Sequence, residues 1–162
     1  MLCEITDFHD EGKELRGVLE TLSESDWQRK TQFKDWTVND VVLHLHCSDI
    51  SAAASARDPA EYEALRQQIM EVRKGGMSMI EESRLRFPDL KGKALLTRWW
   101  DQLEALCDVL ATKDPSTRLN WAGPGMGVRM FTTARQMETW AHGQEIYDVI
   151  GKDRVFHDRL KN

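Results

Sequence analysis

A chain of 162 residues, 41% hydrophobic and 30% charged, is long enough to bury one core and too short for two full domains. Its 22 Lys and Arg stand against 27 Asp and Glu, a formal charge of -5 with no basic block, which excludes the clustered cations of a nucleic-acid surface. No apolar run approaches the roughly 20 residues of a membrane span, and the acidic stretch Met1 to Asp10 lacks the cations and apolar core of a secretory signal, so the sequence reads as cytoplasmic, without nucleic-acid or membrane partners.

Helical periodicity dominates, and no run of alternating β-branched residues bounded by turns is present, so the expected fold is all-α. A first helix is predicted from about Ile5 to Leu22, with Ile5, Phe8, Leu15, Val18, Leu19 and Leu22 on one side. Ser23 to Asp35 reads as a polar connection that carries Trp27 and Phe33. A second helix starts at Thr37, where Asp40 three residues on completes a capping-box pair, and runs to about Ala56. Asp58 and Pro59 open a further stretch, Ala60 to Lys74, which Gly75 and Gly76 close, and Met77 to Arg86 supplies a turn or two before Pro88.

The third long helix spans Lys93 to about Thr112 on a stripe of Leu95, Leu96, Trp99, Trp100, Leu103, Leu106 and Leu110, ended by Asp114 and Pro115. Asn120 to Gly127 is predicted as an ordered loop, and a fourth helix as running from about Thr132 to Ile150, stopped by Gly151. Four long amphipathic helices with extra short helices between the second and third imply a four-helix bundle forming a single domain over residues 1–162.

On the fourth helix, a wheel sets Glu138 and His142 in the middle of an arc made by Phe131, Ala134, Ala141, Ile146 and Val149. Four residues apart, they stack on adjacent turns and aim at one point. A carboxylate facing a core needs a proton, a cation or a metal, and Glu beside neutral His is a normal donor pair for zinc. The competing reading has Glu138 and His142 hydrogen-bonded to each other or to Arg135. A third ligand falls to the second helix, where His44 and His46 both flank the face of Val38, Val41, Val42 and Leu45; periodicity does not choose between them.

Two stretches resemble a known family. Trp36, Thr37, Val38, Asn39, Asp40, Val41, Val42, Leu43, His44, Leu45 is similar to the first motif of the DinB/YfiT-like metalloenzyme superfamily, in particular the N-terminal domain of mycothiol-dependent maleylpyruvate isomerase. The stretch Thr133 to Gly143, holding Arg135, Glu138 and His142, resembles the second, and the loop Gly123, Pro124, Gly125, Met126 precedes it as in the family. The resemblance implies a divalent metal, zinc foremost with nickel or another transition metal as options, on His44, Glu138 and His142. It also implies a low-molecular-weight thiol, such as mycothiol or bacillithiol, bound to that metal and attacking a small electrophilic substrate. Characterised members continue into a C-terminal domain that contributes to the isomerase site, so the chain is expected either to stand alone or to be the N-terminal part of a longer protein.

The leading expectation is a thiol-dependent transferase or isomerase, with Trp36, Trp121, Met126 and Arg135 as pocket candidates and Cys47 as a fourth ligand or redox-sensitive neighbour. A hydrolase with Glu145 as general base is the second reading. A non-catalytic metal-binding or homodimerising bundle is the third, motivated by the absent second domain and by Trp99 and Trp100, one of which would face outward. Cys3, Cys47 and Cys107, odd in number and widely spaced, read as free thiols.

Overall fold

The computed structural model describes residues 2–161. Four long helices form the bundle: α1 (Cys3–Leu19), α2 (Val38–Arg57), α5 (Gly92–Ala111) and α6 (Val128–Ile150). Two shorter helices, α3 (Pro59–Val72) and α4 (Met79–Arg86), lie between α2 and α5, as predicted. α1 and α2 each pack against both α5 and α6, so α1/α2 and α5/α6 are the diagonals, and the connections at 20–37 and 112–127 each cross an end of the bundle. Among the described residues, no helix is long and apolar enough to cross a membrane.

The core is the one the apolar stripes outline. Phe8, Leu15 and Leu19 of α1 meet Leu95, Trp99, Leu103 and Leu110 of α5 and Ile146 of α6, all fully buried. Gly12 lets α1 approach α5 closely: a Cβ there would fall 2.4 Å from a Leu103 methyl. α2 is buried on nearly every side, continuously from Val38 to Cys47, because α3, α4, α5 and α6 all pack on it. That explains why a wheel could not rank His44 against His46: the helix has no solvent face at that level.

Helix ends follow local chemistry. Thr37 and Asp40 form the predicted capping box at α2, and a second box, Ser78 with Glu81, starts α4. Asp58 caps α3, with Pro59 at its first position. Gly151, at φ 71°, closes α6 in the left-handed conformation that only glycine adopts freely.

Four expectations need correction. α1 ends at Leu19, since the Thr21 hydroxyl and amide both take the Val18 carbonyl, a local bond that competes with helix continuation; Leu22 stays buried through the turn. The 23–35 connection is not simply polar, because a 3₁₀ turn at Asp26–Gln28 seats Trp27 in the core. The 120–127 loop is bracketed by two short strands, β1 (Arg118–Leu119) and β2 (Met126–Gly127), paired antiparallel and too short to show alternation. α6 begins at Val128, four residues before Thr132, whose hydroxyl bonds back to the Val128 carbonyl inside the helix rather than capping it.

Candidate metal centre

Two helices deliver the cluster. α2 presents His44, and α6 presents Glu138 and His142 one turn apart. The Glu138 Oε2 lies 3.5 Å from the His44 Nε2 and 3.6 Å from the His142 Nε2, and one ligand atom from each of the three residues lies within 4.8 Å of the others. Both imidazoles therefore turn the same nitrogen toward the same carboxylate oxygen.

Those separations bear on the two readings of the cluster. A hydrogen bond between nitrogen and oxygen is best near 2.7–3.2 Å, so contacts of 3.5 and 3.6 Å are loose ones. Donors bound about 2.0–2.1 Å from a tetrahedral zinc lie roughly 3.4 Å apart; the two contacts to Glu138 are close to that spacing, and the three ligand atoms together lie within 4.8 Å. Two imidazole nitrogens and one carboxylate oxygen are also a donor set suited to such an ion. The residues present fit a divalent metal.

Electrostatics leave the donors available. Burial lowers the pKa of His44 and outweighs the opposing pull of the Glu138 carboxylate, so the ring is neutral at pH 7. The imidazoles of His142 and then His44 beside it hold the Glu138 carboxyl far below the ordinary range, and it is ionised. Glu138 does not face the core as the wheel implied. The buried line of α6 runs through Val128, Thr132, Arg135, Thr139, Gly143 and Ile146, which leaves Ala141 exposed and Glu138 and His142 on the rim, with 39% of the Glu138 side chain open. A rim position is what a site that exchanges small molecules requires.

Aromatic rings wall the cluster. Trp36, from the residue before the α2 cap, lies with its ring 5.3 Å from His44 and stacked 6.1 Å from His142, and Phe33 meets His142 edge-on at 5.3 Å. The two imidazoles are 4.6 Å apart. Phe33 escaped the sequence reading because it sits in a connection with no periodicity to mark it.

With this geometry in view, the family model described as the mycothiol maleylpyruvate isomerase N-terminal domain matches residues 8–147. The chain belongs to that family. Within the DinB-like class, its fold is similar to the crystal structure of a histidine-to-alanine mutant of the mycothiol-dependent maleylpyruvate isomerase, with a TM-score of 0.68 at 13% identity over 98% of this chain and 63% of that one. Two uncharacterized proteins of Mycobacterium tuberculosis, from strains CDC 1551 / Oshkosh and ATCC 25618 / H37Rv, are each 27% identical over 158 residues, 98% of this chain. The chain spans about 60% of the length of those relatives.

The other candidates scatter. His46 is buried with its ring against Phe87 at 5.4 Å, away from the cluster, and burial pulls its pKa down to about 4. Cys47 is outside the cluster too: its thiol is buried near Ser83 and Arg86, and burial pushes its pKa up, the opposite of what a ligand or reactive thiol needs. Trp121 is exposed, its indole donating to the Pro124 carbonyl within its own loop, and Met126 sits in β2, half-buried against the core. Arg135 does not serve Glu138 as a hydrogen-bond partner. It donates to the fully buried Asp49 at 2.9 and 3.1 Å, and Trp99 Nε1 donates to the other oxygen of the same carboxylate at 3.1 Å. Glu145 is half-buried and lies outside the cluster. The outward tryptophan also fails. Trp99 is fully buried, and Trp100 is covered by the Arg16 guanidinium at 4.8 Å and by His9, so neither indole offers the outward face expected of it.

Proposed function

We propose that the chain forms a single metal-binding domain that holds one divalent ion, zinc foremost, on His44, Glu138 and His142, and that it acts as a thiol-dependent isomerase or transferase on a small electrophilic substrate. The observation that carries this reading is the convergence of two Nε2 atoms on one carboxylate oxygen at 3.5 and 3.6 Å. Family membership supports the thiol, since the family is described by mycothiol and maleylpyruvate isomerisation. A zinc ion at three protein donors supplies Lewis acidity that lowers the pKa of a bound low-molecular-weight thiol.

The chain's own residues do the rest. His44, neutral because it is buried, offers a nitrogen lone pair at pH 7. Glu138 brings the single negative charge of the donor set and keeps one edge toward solvent, where a cosubstrate enters. Trp36 and Phe33 exclude water from the imidazole side and fix the ring orientations.

Elemental analysis of tag-free protein tests the metal: about one equivalent of divalent ion per chain, sharply reduced in Glu138→Ala. Equal occupancy in both proteins overturns the site. Titrating mycothiol or bacillithiol into cobalt-loaded protein tests the chemistry, because thiolate coordination produces a sulfur-to-cobalt charge-transfer band, and a silent spectrum with every thiol rejects the thiol-dependent reading.

A further inference from the structure

The segment before α2 is wound more tightly than its residues favour. Phe33 to Trp36 make a turn closed by the Trp36 amide on the Phe33 carbonyl at 3.0 Å, inside a bridge between Lys30 and Thr37. Its central residues, Lys34 and Asp35, both have positive φ, 53° and 56°, the signature of a type I′ turn. Glycine and asparagine normally fill such positions, since a Cβ crowds the backbone there. Lys34 and Asp35 are the only described non-glycine residues with positive φ, and the two residues flanking them touch the cluster. Strain concentrated beside a site is retained where the surroundings enforce it for a purpose.

The turn delivers Phe33 and Trp36 onto the ligand imidazoles and holds the Lys34 ammonium 5.0 Å above the Phe33 ring and 6.0 Å from the Trp36 ring. The ammonium thus stands over the same two rings that wall the histidines. Lys34 is exposed, and no ion pair holds its ammonium among the described residues. The donor set contributes one negative charge, so a bound dication leaves the centre net positive, and Lys34 adds a second positive charge at its mouth.

We infer that Lys34 is the anion-recognition residue of this site, and that it favours small molecules carrying a carboxylate over neutral ones of the same length. The inference rests on the metal reading above. The type I′ turn fixes the backbone that aims the lysine, and the two rings hold its stem against the wall.

The test uses cobalt-loaded protein and two thiols of matched length, 3-mercaptopropionate and 3-mercapto-1-propanol, with dissociation constants read from the charge-transfer band. Intrinsic differences between the thiols cancel when their affinity ratio is compared between proteins. In Lys34→Gln the ratio falls about fivefold toward the neutral thiol, as expected for loss of one exposed charge pair. The alcohol's affinity is unchanged, Lys34→Arg retains the wild-type ratio, and the wild-type preference shrinks as sodium chloride is raised. Equal ratios in wild type and Lys34→Gln overturn the inference and leave the metal site standing. Failure to bind cobalt overturns both. If cobalt binds and neither thiol produces a band, the thiol reading falls, and the response of the cobalt d–d spectrum to acetate decides for Lys34: about fivefold weaker in Lys34→Gln supports it, and no difference rejects it.

Discussion

Glu11 and Glu138 are both carboxylates on long helices of the same bundle, and their surroundings differ in kind. Glu11 is wholly buried on α1 and is gripped by two guanidinium groups, from Arg154 and, at 2.9 Å, from Arg159. Arg154 is itself nearly inaccessible, donates to the Trp140 carbonyl at 2.8 Å and stacks on Tyr147, while Gln136 of α6 holds the Arg159 carbonyl at 2.8 Å. Together they strap the stretch after Gly151 onto α1 and α6. Glu138 has no guanidinium bonded to it, only two imidazoles at 3.5 and 3.6 Å and an open edge. A carboxylate saturated by arginine holds the chain together; one left with loose contacts to imidazole nitrogens retains its capacity to bind a cation.

The sharpest way to break this comparison is to neutralise each carboxylate in turn. Glu11→Ala leaves the buried Arg154 with only Glu14, at 3.8 Å, as counter-ion, and unfolding stability falls by about 3 kcal/mol, lowering Tm by roughly 10 °C for a chain of this size. Metal content per folded chain stays at the wild-type level. Glu138→Gln gives the reverse pattern: metal retention is lost while the apoprotein's Tm moves by no more than about 2 °C, since a rim carboxylate with loose contacts contributes little. Thermal melts with elemental analysis on both variants check the pair, and a Glu138→Gln apoprotein that melts far below wild type would mean that Glu138 is a structural staple too.

Asp49 stands between these extremes. It is fully buried and bonded to Arg135 and Trp99, directly spanning α2, α5 and α6 beneath the cluster. Asp49→Asn is expected to lose about 2–4 kcal/mol, because Arg135 keeps its charge without a counter-ion. If the pair also sets the spacing of α2 and α6, cobalt affinity falls with it, and restoring neutrality in Asp49→Asn/Arg135→Gln recovers stability without recovering affinity. A double-mutant cycle measured by urea unfolding and cobalt titration separates the two contributions.

What the sequence revealed follows from how local each feature is. The Thr37–Asp40 capping box, Asp58 with Pro59, Gly151 and the apolar stripes of α1 and α5 act within a turn or two, and each was legible. So was the pairing of Glu138 with His142, which needs only helical spacing; the third partner, His44, came from motif resemblance, since α2 is buried all round and periodicity is blind there. Illegible features depend on contacts distant in sequence. The strap from Arg154 and Arg159 to Glu11 spans more than 140 residues, and the Asp49–Arg135 pair spans 86. The tight turn before α2 carries no glycine or asparagine to announce it, because its conformation is imposed by the packing of Phe33 and Trp36 rather than by its central residues.

A smaller effect separates a staple from a ligand by pH. Burial raises the Asp40 carboxyl, but hydrogen bonds from Arg84 and Thr37 together more than reverse this, so its pKa lies below the ordinary 3.8. A folded-state pKa below the unfolded one means that the stabilisation is present above pH 4 and is lost as pH falls through the folded value. Asp40→Asn should therefore lose about 1–2 kcal/mol at pH 7, with the deficit shrinking below about pH 4. Urea midpoints measured at pH 7, 4 and 3 check it; a deficit independent of pH would show that the capping geometry, and not the charge, does the stabilising.

The smallest expected effect lies in the turn beside the cluster. A non-glycine residue in the left-handed region is disfavoured by about 1–2 kcal/mol, less for Asp, whose short polar side chain tolerates it. Asp35→Gly relieves that strain at φ 56° but also loosens the unfolded chain, so the net gain is expected to be about 0.5 kcal/mol, a rise in Tm of roughly 1–2 °C. The sign is informative. A stabilised variant with unchanged thiol selectivity means that the strain is incidental to recognition, and that Phe33 and Trp36 alone aim Lys34. A stabilised variant whose preference for the carboxylate thiol is weakened means that the turn was held tight in order to aim the lysine, and that stability was given up for selectivity at the mouth of the site.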